Sequence, residues 1–185
     1  MDLGLSPGRY FLALWPPDPV RELIAQHASD WLRPASRRYR PVRRERYHLT
    51  LSFLGELDRP ATQRLETGLL SLRAWAGSPF RLLLDRVGHF GGEAAWLGCQ
   101  QPPPELMALH EGLSRAMRQA GIERVPTRPW VPHVTIARGM HGSWPTPLPD
   151  GVPVAWDVRE WVLVRSLPSP DHAYRIVARQ ALGAR

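Results

Sequence analysis

Lysine is absent from the 185 residues; all 24 basic side chains are arginine. That absence excludes a Walker P-loop, whose lysine grips the nucleotide phosphates. It also excludes a lysine Schiff base and a nucleotidyl-lysine intermediate of the kind ATP-dependent ligases use. Cysteine is nearly absent. Cys99 alone can form neither an internal disulfide nor a multi-thiolate zinc site, and its AAWLGCQ surroundings read as a small buried hydrophobe. Long apolar runs are missing as well. The opening MDLGLSPGRYFLALWPPD holds only Tyr10 to Trp15 before its prolines, which fits neither a signal peptide nor a membrane span. A cytoplasmic protein without membrane contact is the expectation.

What is present suffices for a core: 43% of residues are apolar and 22% charged, in a chain short for two ordinary domains. The net charge of +7 is unevenly placed. Arg33, Arg37, Arg38, Arg40, Arg43, Arg44 and Arg46 face Glu45 alone, a local charge of +6. Such a block is either a solvated face or a polyanion contact, since guanidinium can grip phosphate bidentately.

Short β-like runs alternate with amphipathic segments. RYFLALW reads as a strand and PPDPVRELIAQHASDWL as a helix opened by prolines. RYHLTLSFLG reads as a strand closed by Gly55, and PATQRLETGLLSLRAWA as a helix. FRLLLDRVGHF and AAWLGCQ read as a strand pair around the Gly91-Gly92 turn, before the helix PPPELMALHEGLSRAMRQAG. WVPHVTIAR, EWVLVRSL and YRIVARQAL complete the strands, and the proline-rich stretch 144–153 reads as a loop. The fold class is α+β, a largely antiparallel sheet with helices outside.

One pattern repeats. His48-Leu49-Thr50-Leu51 and His133-Val134-Thr135-Ile136 share the order His-apolar-Thr-apolar, 85 residues apart. With seven histidines and six threonines in the chain, two copies in that context arise about once in a thousand random orders. In a strand, residues i and i+2 share a face. His48 projects with Thr50, and His133 with Thr135, while Leu49, Leu51, Val134 and Ile136 turn to a core. The repeat suggests two similar lobes, each contributing one strand.

Two imidazoles with ordinary pKa values near neutrality can serve as general base and general acid on opposite sides of one reacting centre. Two hydroxyls can donate to the oxygens of a phosphoryl group, and Arg138 adds a permanent charge. The set suits phosphodiester hydrolysis by activated water. No acidic residue adjoins either motif, the nearest being Glu45 and Glu56, so neither a metal nor another cofactor is expected. Arg138 stands an odd number of residues from Thr135, as Phe53 does from His48. An ideal strand would turn both away from the site, so bends near Gly139 and Gly55 are required. Phe11, Phe53 and Trp130 are candidates for stacking on a planar group of the substrate, and Arg43, Arg46 and Arg128 for contacts to its phosphates. His27 and His110 fall on predicted helices and read as surface or boundary residues.

On these motifs the chain resembles the 2H phosphoesterase superfamily, and within it the bacterial and archaeal RNA 2′,3′-cyclic phosphodiesterases, long called 2′-5′ RNA ligases. The likeness takes in RYFLALWPPDPVRELI, YHLTLSFLGELD, FRLLLDRVGHF, AAWLG, RPWVPHVTIARG and WVLVRSLPSPDHAYRIVAR, which together span nearly the whole chain. It implies a single bilobal domain over residues 1–185, with a pseudo-twofold and two antiparallel sheets flanking a cleft. It implies hydrolysis of RNA 2′,3′-cyclic phosphate ends, on tRNA fragments or nucleotides, to a 2′-phosphate without metal, and a monomer is expected. His48 would be the proton donor and His133 the acceptor, with Thr50, Thr135 and Arg138 on the phosphate. Ligation through a 2′-5′ bond would use the same residues, and with an RNA substrate Phe11, Phe53 and Trp130 would be the candidates for stacking on a base and Arg43, Arg46 and Arg128 for reaching RNA phosphates. Two rivals remain: a non-catalytic RNA-binding module built on the arginine run, and a relative acting on another cyclic nucleotide.

Overall fold

Apolar spacing sets the layers. In the computed structural model, which describes residues 3–33, 39–72, 77–122, 129–139, 153–168 and 173–183, strand β1 (Gly8–Leu14) alternates between two faces. Tyr10, Leu12 and Leu14 join the main core, whereas Phe11 and Ala13 join a second, smaller cluster with Val162 and Val164. Among the described residues, three helices cover the main core. They are α1 (Asp18–Leu32), α2 (Arg59–Leu72) and α3 (Pro104–Gln119). Their apolar residues recur at helical spacing, for example Ala61, Leu65 and Leu69 on α2 and Leu106, Leu109, Leu113 and Met117 on α3. Among the described residues, no helix is long and apolar enough to cross a membrane.

The remaining strands are β2 (Arg40–Pro41), β3 (Leu49–Leu57), β4 (Phe80–Leu84), β5 (Arg86–Phe90), β6 (Ala94–Gly98), β7 (His133–Arg138), β8 (Val154–Val158), β9 (Glu160–Ser166) and β10 (Tyr174–Ala181). The architecture is α+β and antiparallel, in the order β10-β9-β1-β3-β7-β6-β5, with β2 also paired to β7. The two sheets expected beside a cleft are in fact hydrogen-bonded to each other, but β3 and β7 pair only at Leu49 and Val134. Beyond that bridge the strands diverge, and β2 takes up the edge of β7 while Val42 N–H donates to the Ile136 carbonyl at 2.8 Å.

Two expectations are corrected, and one strand is found that the sequence pattern did not indicate. The run 80–90 is two strands, split at Asp85. β4 pairs with β8 in a separate two-stranded sheet, whereas β5 pairs with β6. Asp85 is poorly suited to a strand interior, and here its carboxylate accepts from Gln100 N–H at 2.7 Å, fixing the switch between sheets. The strand carrying the first motif does not close at Gly55 but runs on to Leu57. β8 was hidden in sequence by the proline-rich stretch before it, although Val154, Trp156 and Val158 alternate as a half-buried strand should.

Candidate active site

The single bridge between the halves fixes the site. Leu49 and Val134 are fully buried, so the residues flanking each of them, His48 and Thr50 on one strand and His133 and Thr135 on the other, turn to the opposite face. Both histidines are anchored alike. His48 Nδ1 lies 2.7 Å from the Arg46 carbonyl oxygen, and His133 Nδ1 lies 2.7 Å from that of Val131. A carbonyl only accepts, so Nδ1 carries the proton in each ring and Nε2 is left for chemistry.

The parity of Arg138 and Phe53 is resolved by two matched β-bulges. Across β1, Ala13 is opposite Thr50 and Leu12 opposite Ser52, which leaves Leu51 as an extra residue. Across β6, Trp96 is opposite Thr135 and Ala95 opposite Ala137, which leaves Ile136 as an extra residue. Leu51 and Ile136 each stand three residues after their histidine. Each bulge reverses the alternation, so Phe53 and Arg138, five residues after their histidines, emerge on the histidine face. The bulges that set this parity therefore lie at Leu51 and Ile136, before the glycines, while a further register shift in β3 leaves Leu54 as an extra residue beside Gly55, whose φ is 78°. Phe53 is 42% exposed, with the Arg9 guanidinium 5.2 Å from its ring centroid. The charge of Arg138 acts on both imidazoles.

Aromatic rings frame the histidines unequally. His48 is held by Phe11 at 4.9 Å, Tyr174 edge-on at 5.2 Å and Trp15 nearly parallel at 5.6 Å between centroids. His133 meets Phe90 edge-on at 5.0 Å and Trp96 at 6.1 Å. Trp96 lies across Gly88 and Gly98, where a Cβ would come within 2.2 Å of Trp96 Cζ2 and 2.7 Å of the Pro132 carbonyl respectively. Desolvation by this frame pushes His48 down to about 4, against its bond to the Arg46 carbonyl and assisted by the charges of His133, Arg138 and Arg46. Desolvation also lowers His133, opposed by its bond to Val131 and assisted by Arg138.

The other sequence candidates are distributed as follows. Phe11 is buried beneath His48 rather than open to the face. Trp130 donates from its indole N–H to the Thr50 carbonyl at 3.0 Å and stacks on His110 at 3.9 Å. His110 Nδ1 in turn lies 2.8 Å from the Leu51 carbonyl. These two side chains cap the edge of β3 where β7 has left it, and so hold the first bulge. Arg46 lies over the Tyr174 ring at 4.7 Å, Arg43 is exposed, and Arg128 falls outside the described residues. Trp15, Tyr174, Phe90, Trp96 and His110 were not singled out as site residues. Trp15 carried a signal, since Phe11, Ala13 and Trp15 alternate on one face of β1. Among the described residues, no three His, Cys, Asp or Glu side chains group as metal ligands.

The chain is similar to known proteins over most of its length. The model of the 2′-5′ RNA ligase superfamily matches residues 16–169. An RNA 2′,3′-cyclic phosphodiesterase of Escherichia coli is 32% identical over 162 residues, covering 87% of this chain and 88% of that protein. One from Thermus thermophilus is 33% identical, covering 88% and 83%. Among solved structures, that of Escherichia coli LigT complexed with 3′-AMP superposes with a TM-score of 0.84 at 29% identity, over 97% of this chain and 100% of that one.

Proposed function

The chain belongs to the 2′-5′ RNA ligase superfamily, and from that premise we propose that it hydrolyses RNA 2′,3′-cyclic phosphate ends to 2′-phosphates by paired-histidine acid–base catalysis without a metal. The observation that carries the reading is the matched pair of imidazoles, each tied through Nδ1 to a backbone carbonyl with Nε2 free, on one face with two threonines. Water attacks phosphorus in line with the departing 3′ oxygen. His133 Nε2 takes the water proton as the new P–O bond forms. The P–O3′ bond breaks, and protonated His48 Nε2 delivers its proton to O3′. Thr50 and Thr135 donate to the non-bridging oxygens, and Arg138 offsets their charge.

The bulge positions support this direction of travel. The His/Thr set is nearly two-fold symmetric, but position five beyond each histidine is apolar Phe53 on one strand and cationic Arg138 on the other. A ribose and base suit the Phe53 and His48 side, and an entering water suits the Arg138 and His133 side. The same residues serve 2′-5′ ligation when the 5′-hydroxyl of a second RNA replaces water. Turnover of a cyclic-phosphate RNA end in EDTA tests the reading. His48→Ala and His133→Ala should each lose about 10²–10⁴ in turnover, and the product should be a 2′-phosphate with a free 3′-hydroxyl by phosphorus NMR. Wild-type turnover by the double variant, or a 3′-phosphate product, would end the proposal.

A further inference from the structure

We propose that Arg46 forms a second phosphate subsite, which grips the internucleotide phosphate on the 5′ side of the reacting nucleotide and makes the protein favour oligonucleotide ends over cyclic mononucleotides. The inference rests on the phosphodiesterase reading above.

Arg46 is half-buried, with its Cζ 4.7 Å from the Tyr174 ring centroid, and Tyr174 meets His48 edge-on at 5.2 Å. Stacking on the ring fixes the guanidinium plane beside the site. Its Nε is buried and has no hydrogen-bond partner among the described residues. Nor does it share in the neighbouring ion pairs, in which Arg33 meets Asp30 and Arg44 meets Glu22 and Glu45. Among the described residues Arg46 has no ion pair, and its charge opposes protonation of His48, the group that must act as acid, until an anion offsets it. Arg138 has the same effect, but the reacting phosphate offsets it. That phosphate carries one negative charge and is already shared by two hydroxyls and Arg138. Arg46 therefore fits a further anion. A ribose on the His48 side is next to Tyr174, which meets His48 edge-on and carries Arg46 over its ring, and the phosphate on its 5′ oxygen is the anion such a substrate can offer there. A cyclic mononucleotide has no such phosphate.

The test measures kcat/KM for a cyclic mononucleotide and for a dinucleotide ending in the same cyclic nucleotide, with wild type and Arg46→Gln. The wild type should favour the dinucleotide by about tenfold or more, the usual worth of a charge-assisted hydrogen bond. The preference should appear in KM and collapse in Arg46→Gln, with partial return in Arg46→Lys. A dinucleotide whose internucleotide linkage is an uncharged methylphosphonate should lose the preference with the unaltered protein, which makes the result independent of how the variant folds. A preference that survives in folded Arg46→Gln or with the methylphosphonate, or a wild type with no preference, overturns the inference alone. Failure of the wild type to hydrolyse either substrate overturns the phosphodiesterase reading with it.

Discussion

His48 and His133 are both held below the ordinary imidazole range in the free protein, His48 at about 4. Catalysis by one base and one acid needs a single proton on the pair, and kcat/KM reports that requirement in the free enzyme. The profile of kcat/KM should therefore be bell-shaped with both limbs below pH 6.5, rather than centred on neutrality as two unperturbed imidazoles would give. Bound phosphate adds a negative charge that favours the imidazolium, so the descending limb of kcat should lie at higher pH. Rates against pH at low and saturating substrate check both, and a kcat/KM optimum above pH 7 would contradict the burial argument. The same desolvation has a stability consequence. Between pH 6.5 and 4 the unfolded chain binds a proton at His48 that the folded chain refuses, so the contribution present above pH 6.5 is lost on acidification, by about 3 kcal/mol. Denaturant titration of wild type and His48→Asn across that range should show a flatter dependence in the variant.

Strands and bulges account for what was and was not legible beforehand. HLTL and HVTI displayed their faces plainly because period-two alternation is a property of sequence. The bulges at Leu51 and Ile136 were not legible, since an extra residue in one strand is defined only by the partner across the ladder. Only the parity of Phe53 and Arg138 hinted at them. The Asp85 switch and the Trp130–His110 cap were concealed for the same reason: each is a contact between segments far apart in the chain. The glycines of β5 and β6 have a similar hidden meaning. Gly88 and Gly98 leave room for Trp96, which is 6% exposed and borders His133. Gly88→Ala would put a methyl 2.2 Å from Trp96 Cζ2, so the buried indole would have to shift. Overpacking of this kind costs about 1–3 kcal/mol, so Tm should fall by roughly 2–10 °C. Displacement of Trp96 should also lower kcat through His133. Unchanged melting and turnover in Gly88→Ala would show that the indole is free to shift.

Across the whole molecule, charge is arranged by neutralisation rather than by the sequence run. Read as a block, the segment from Arg33 to Arg46 carries +6. In the fold, Arg33 is paired with Asp30, and Arg44 with Glu22 and Glu45, so two cations of the run are already matched. Arg37 and Arg38 lie outside the described residues. Arg40, Arg43 and Arg46 are left without ion pairs among the described residues, and Arg40 stands directly across the ladder from Arg138. Like charges opposite one another are unfavourable in a sheet, and a polyanion laid along this side would relieve that repulsion. Single-stranded nucleic acid releases counterions with a slope of roughly −0.7 in log K per phosphate neutralised. Replacing Arg40, Arg43 and Arg46 together by alanine should therefore flatten the salt dependence of RNA affinity by about two. Replacing Arg33 and Arg44 should leave the slope nearly unchanged, because their charges are spent on carboxylates. Equal flattening by the two variants would mean that the run acts as one diffuse cationic surface, and that the pairing seen in the fold does not govern RNA binding.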